Sequence, residues 1–208
     1  QGSWNLQDGL PIHRVRGKTL GLIGFGRIGQ VVAQKATGFG MNVTFYDPDA
    51  SVKNVVDKEL ANAVSLKKLI TESDFISLHA PLTESTRALV NADFMRAMKS
   101  SACLVNCARG GLIDHDALLI ALRQGDIAGA ALDVFEPEQL TPDHPLLQLG
   151  NLIATPHVAF YSAESVEELQ RRASMNVAAI LDERLPEAII NPEVLERPRW
   201  RHLVGSVG

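Results

Sequence analysis

The chain has 208 residues, 46% of them hydrophobic and 21% charged, with a formal net charge of −4 at pH 7. That length holds one well-buried domain with room for arms, and the apolar content is ordinary for a soluble globular protein. The acidic balance argues against nucleic acid or an anionic membrane as partner, and no apolar run approaches the roughly 18 residues of a membrane helix.

The polar N-terminus, Gln1 to Asp8, lacks the basic-then-apolar pattern of a signal peptide, so a cytoplasmic protein is expected. From there, short apolar runs alternate with longer amphipathic ones, the pattern of βαβ units and a parallel sheet. Strands are predicted over 19–25, 43–47, 63–65, 75–78, 103–106, 129–134 and 152–154. Helices are predicted over 27–39, 66–71, 92–98, 115–124 and 163–184. Ser65, Asn91, Asp114 and Ser162 stand where N-caps belong, while Gly40 and Gly125 stand where helices stop. The strands are too continuously apolar to expose a face, so helices should cover both sides. The expected fold is α/β: a doubly wound, Rossmann-type three-layer sheet of about seven strands.

Cys103 and Cys107 lie in one predicted buried strand, where four residues span roughly 13 Å. Disulfide-bridged Cα atoms sit within about 7 Å, so the two cannot pair, and a reducing compartment fits. Cys107 reads as a packed small side chain rather than a reactive thiol. Arg197, Arg199 and Arg201 around Trp200 make too weak a footprint for nucleic acid and read as a solvated tail. His13, His115 and His144 carry no motif, and no metal site is expected.

The turn Gly24-Phe25-Gly26-Arg27-Ile28-Gly29 carries the first functional signal. Glycine spacing alone is weak evidence, but here a strand precedes it, a helix follows it, and Asp47 ends the next strand at about the 20-residue separation the motif needs. Gly24 permits the tight turn, Gly26 lets a pyrophosphate approach the backbone, and Gly29 allows close helix–strand packing. The pyrophosphate would sit on the helix N-terminus at Arg27. Asp47 should accept the ribose hydroxyls, and Asp49 nearby leaves no arginine to neutralise a 2′-phosphate. NAD is therefore preferred to NADP.

Ligands of such sheets bind beyond the carboxyl ends of the strands, where His79, Arg109, Asp133, Glu138 and His157 all fall. The segments Asn106-Cys107-Ala108-Arg109-Gly110-Gly111-Leu112-Ile113-Asp114, Ala131-Leu132-Asp133-Val134-Phe135-Glu136-Pro137-Glu138 and Thr155-Pro156-His157 resemble, in order and spacing, the hallmarks of the D-isomer-specific 2-hydroxyacid dehydrogenases. The segment 158–162 is similar to the C-terminal-binding-protein-like branch of that family.

The resemblance implies roles that the chemistry suits. Arg109 would hold a substrate carboxylate and keto oxygen in its planar donor fork, and His157 would be the acid–base. Glu138 would orient His157, the family's spacing selecting it over the nearer Glu136, although Gln139 replaces the proline that usually follows. Asp133 would anchor the nicotinamide carboxamide edge. Cys107, Ala108 and the loop His79, Ala80, Pro81 and Thr83 would flank the cofactor, as would Arg109 and His157. His79 reads more as a structural residue than as a ligand.

The implied function is NAD-dependent hydride transfer between a D-2-hydroxy acid and its 2-keto acid, in a homodimer formed through this domain. The alternative is an NAD(H)-sensing, corepressor-like protein. The cofactor domain would span 17–184, with 1–16 and 185–208 as arms. In the family a separate substrate domain is built mainly from residues ahead of the cofactor domain, and this sequence begins almost at the linker. The expectation is that the chain alone binds NADH but turns over 2-keto acids poorly, and that 197–208, lacking a packing surface, is disordered.

Overall fold

The computed structural model describes residues 12–49 and 60–201, so the expectations for residues 1–11 and for 202–208 lie outside the described residues. The chain divides into two compact units, 1–159 and 160–208, and each is described by itself.

The first unit opens with β1 (Thr19–Ile23), α1 (Arg27–Gly38), β2 (Asn42–Tyr46) and β3 (Asn62–Ala63). There follow α2 (Leu66–Glu72), β4 (Phe75–Leu78), α3 (Ala92–Ala97) and β5 (Cys103–Asn106). It closes with α4 (His115–Gln124), β6 (Gly129–Leu132) and β7 (Leu152–Ala154). The seven strands form one sheet in the order β3-β2-β1-β4-β5-β6-β7, every pair parallel. That is the doubly wound, three-layer α/β arrangement, with a switch point beside β1 where the order reverses between β2 and β4.

The helices begin where their caps stand. Ser65 accepts from the Lys68 N–H, Asn91 from Phe94 and Asp114 from Ala117. Each satisfies one of the orphan donors of a helix start, typically for about 1 kcal/mol. Gly125 ends α4 in the left-handed region.

Alternation along β1 separates two apolar clusters. Leu20 and Leu22 join Phe25, Val43 and Phe45 beneath Ala33 and Ala36 of α1, with the Phe25 and Phe45 rings stacked at 4.0 Å. Ile23 belongs to the other cluster, with Leu69 and Ile70 of α2, Phe94 and Met95 of α3, and Leu118 and Leu122 of α4. The sheet is thus covered on both faces, and ligand access is left at its strand ends.

The second unit holds α5 (Ala163–Leu181), started by a reciprocal cap. Ser162 Oγ accepts the Ser165 N–H at 3.0 Å while Ser165 Oγ accepts the Ser162 N–H at 2.8 Å. The helix ends three residues short of the predicted 184, because Asp182 leaves helical geometry and Glu183 takes a φ of 55°. In the described part of the tail, Pro192–Glu196 is a 3₁₀ turn, and the Arg199 guanidinium lies 4.9 Å from the Trp200 ring centroid.

Candidate active site

The glycine turn leaves β1 at the switch point. Gly24 has a φ of 88°, its N–H donates to Tyr46 O at 2.9 Å, and a Cβ there would stand 2.7 Å from the Ala80 nitrogen. Only glycine fits, on both conformational and steric grounds. Gly26 is the N-cap of α1 and offers no side-chain cap, so the first-turn amides are open to an anion. Nothing lies within 4 Å of where a Gly26 Cβ would be.

Asp47 follows β2 and bridges two main-chain donors: Oδ2 accepts the Phe25 N–H at 2.7 Å and Oδ1 accepts the Asp49 N–H at 2.9 Å. The carboxylate therefore braces the turn as well as standing where a ribose would lie. Open amides, clearance at Gly26 and an acid at the crevice edge together fit an adenine dinucleotide.

Two cavities flank the turn. One of about 620 Å³ is lined by Gly26, Arg27, Ile28, Gly29, Lys35 and His79. A second, of about 920 Å³, is lined by Ile28, His79, Ala80, Pro81, Ala108 and Arg109, with Cys107 also at its wall. His79 borders both. Its Nε2 lies 3.0 Å from Ser77 Oγ, and burial pushes its pKa below the usual imidazole value, favouring the neutral ring. Thr83 lines neither cavity. Its N–H donates to Thr86 Oγ1 at 2.8 Å and its hydroxyl meets those of Ser85 and Thr86, so it shapes the loop.

Arg109 follows β5 on a loop held from inside. Asn106 is fully buried; its Oδ1 accepts the Ala108 N–H and its Nδ2 donates to Arg109 O, both at 2.9 Å. The exposed Arg109 guanidinium rests on Ala108 O through Nη1 at 2.6 Å. Gly110 and Gly111 then pass directly against the loop after β6: a Cβ on Gly110 would overlap the Phe135 carbonyl, and one on Gly111 the Glu136 carboxylate.

Glu138 and His157 meet: His157 Nδ1 is hydrogen-bonded to Glu138 Oε1. Glu136 is engaged elsewhere, pairing with Arg87 Nη1 at 2.7 Å. The spacing argument therefore selected the carboxylate that touches the imidazole. His157 itself has a φ of 55°, and its N–H donates to Asp133 O at 2.8 Å.

Asp133 is bound into the chain by its side chain. It is 4% exposed, and its carboxylate accepts Thr155 Oγ1 at 2.5 Å and the Val158 and Ala159 N–H groups at 2.9 Å each. These three hydrogen bonds build the loop that presents His157. Burial alone would raise its pKa, but the Thr155 hydroxyl, the two amides and nearby His157 hold it below the usual carboxylate value.

Cys107 also departs from expectation in being exposed rather than packed, since the strand ends at Asn106 and the next residue turns out. It lines both the larger cavity and a third one bordered by Asp133 and Thr155. Partial burial, and then the Asp133 charge, push its thiol pKa up, in keeping with an unreactive thiol. The residue that sequence reasoning passed over is Asn106. Its signal was a lone amide closing an otherwise apolar strand.

A parallel sheet of this order, with a glycine turn at its switch point and an acid after β2, defines a dinucleotide-binding domain. The chain belongs to the family described as D-isomer specific 2-hydroxyacid dehydrogenase, NAD binding domain, whose model matches residues 1–159. NAD is accordingly its cofactor. The match sets the family and does not single out the C-terminal-binding-protein-like branch.

Among its relatives, a glyoxylate reductase of Korarchaeum cryptofilum is 44% identical over 183 residues, covering 88% of this chain and 54% of the reductase. A D-3-phosphoglycerate dehydrogenase of Methanocaldococcus jannaschii is 42% identical over 203 residues, covering 92% of this chain and 36% of that protein. In structure, the D-lactate dehydrogenase of Lactobacillus jensenii with NAD+ superposes with a TM-score of 0.80 at 30% identity, covering 91% of this chain and 60% of that one. The chain thus spans about half the length of the glyoxylate reductases it matches. The corepressor-like alternative gains no support from these relatives.

Proposed function

We propose that the protein reduces the carbonyl of a small 2-keto acid with NADH, or oxidises the D-2-hydroxy acid in reverse. The observation that carries this reading is the His157–Glu138 pair, which joins the loop after β7 to the loop after β6 beyond the same strand ends as Arg109 and the glycine turn. The cofactor, when bound, supplies or accepts the hydride at the substrate's C2.

Arg109 suits a carboxylate and its neighbouring keto oxygen, because a guanidinium can donate two parallel hydrogen bonds. With His157 Nδ1 hydrogen-bonded to Glu138, the role assigned to Nε2 is to give a proton to the keto oxygen during reduction and take it back in oxidation. Glu138 fixes the ring's orientation. No step needs the Cys107 thiol.

Domain extents of 17–184 with arms at 1–16 and 185–208, a cytoplasmic location and a homodimer formed through this domain are part of the same reading. The resemblance supports them, and light scattering of the purified protein tests the dimer. The glyoxylate reductase and D-lactate dehydrogenase among the relatives support small 2-keto acids as the substrate class.

The test is to purify the full-length product of the gene and follow NADH oxidation across a series of 2-keto acids. His157→Asn should abolish turnover and leave NADH binding within about twofold. Undiminished turnover in that variant refutes the mechanism.

A further inference from the structure

We propose that Asn106 is a positioning residue that sets the Arg109 loop against the His157 loop, an inference that rests on the roles given above to those two side chains. Asn106 ends β5 and has no exposed surface, in a strand whose other fully buried side chain is Leu104. A buried amide is costly unless its groups are paired. Here both ends are spent on one three-residue loop, the oxygen on the Ala108 N–H and the nitrogen on Arg109 O.

The same residue reaches the other half of the site through its main chain. Asn106 O accepts the Asp133 N–H at 2.9 Å, and Asp133 O accepts the His157 N–H at 2.8 Å. The Asp133 carboxylate then holds the next two amides, Val158 and Ala159. A continuous run of hydrogen bonds therefore leads from the Arg109 carbonyl through two buried residues on adjacent strand ends to the histidine's backbone. Nothing in it is long or flexible. The guanidinium rests on Ala108 O, so the peptide that Asn106 grips is also the platform of the arginine side chain.

A loop-capping role alone would make Asn106 a matter of stability. A positioning role makes it a matter of substrate geometry, because an error near 1 Å in placing a binding group costs on the order of a hundredfold in rate. The glycine turn and Asp47, which would hold the pyrophosphate and ribose, lie on other strands, so Asn106 should affect cofactor affinity far less than turnover.

The experiment uses the full-length product with Asn106→Ala, and with Asn106→Ser, whose hydroxyl can still accept the Ala108 N–H but cannot reach Arg109 O. Asn106→Ala should lower kcat/KM for the 2-keto acid by on the order of a hundredfold, chiefly through KM, with NADH affinity within about twofold and the pH profile unmoved. Asn106→Ser should recover part of the loss. A kcat/KM within about threefold of wild type in Asn106→Ala overturns the proposal, as does a loss of NADH binding that matches the loss of turnover. If Asn106→Ala does not fold, Asn106→Ser decides by the same comparison.

Should the wild-type protein turn over no 2-keto acid, the proposed function fails separately. Amide exchange then decides this inference: faster exchange at Ala108 and His157 together in Asn106→Ala supports the linkage, and a change confined to Ala108 overturns it.

Discussion

Replacing Asp47 with Asn would test the cofactor site on this chain alone. The carboxylate uses one oxygen for the Phe25 N–H at 2.7 Å and the other for the Asp49 N–H at 2.9 Å. An asparagine has one acceptor oxygen, so one of those amides would face an NH₂ group, donor against donor. The ribose hydroxyls would also lose a charged acceptor, and a hydrogen bond to a charged group is worth about 1.5–3 kcal/mol. At about 1.4 kcal/mol per decade, NADH should bind roughly ten- to a hundredfold more weakly. The charge that disfavours a 2′-phosphate also goes, so the preference for NADH over NADPH should narrow. Fluorescence titration of the purified chain with both cofactors measures each effect. An NADH dissociation constant within about threefold of wild type, or an unchanged preference, would refute the assignment of Asp47 to both the turn and the ribose.

Gly110→Ala forces a Cβ into the Phe135 carbonyl, and neither partner is a side chain that can rotate away. Overpacking of this kind costs about 1–3 kcal/mol, or roughly 2–12 °C of Tm for a chain of this size, whereas Gly38→Ala, with nothing within 4 Å of its Cβ, should melt no lower than wild type. Asp133 gives a pH dependence whose sign follows from its depressed pKa. Its stabilising contribution is present above the unfolded carboxyl's value near about 3.9 and is lost as pH falls through the lower native one. Thermal melts in acid should therefore show a low-pH decline that Asp133→Asn flattens, and identical slopes in the two proteins would count against the three hydrogen bonds assigned to that carboxylate.

Much of this was legible in one dimension. The seven strands, the helices between them and the four N-caps lay in local patterns of apolar period and side-chain oxygen, which act over a few residues. Glu138 was legible because its distance from Arg109 along the chain matches a family spacing. Asp133 was not, since the donors that occupy its carboxylate lie 22 to 26 residues away, on a loop whose path depends on how β7 joins β6. Asn106 hid for the opposite reason: its partners are two and three residues on, but an amide at a strand end looks like any polar terminus until its burial is known. The packing of Gly110 and Gly111 against Phe135 and Glu136 is likewise a meeting of two loops that no local pattern encodes.

The φ of 55° at His157 bears on how this site can be dissected. Left-handed backbone costs an ordinary side chain about 1–2 kcal/mol, and asparagine is among the few residues that tolerate it. An alanine scan would thus combine two lesions at this position, a missing proton carrier and a strained bend, and its phenotype would overstate the chemistry. Asparagine removes the imidazole while respecting the bend. The same reasoning limits what drift can sample here: a lineage that abandoned catalysis would be freest to replace this histidine with asparagine, aspartate or glycine, so the backbone would outlast the activity as a readable trace of it.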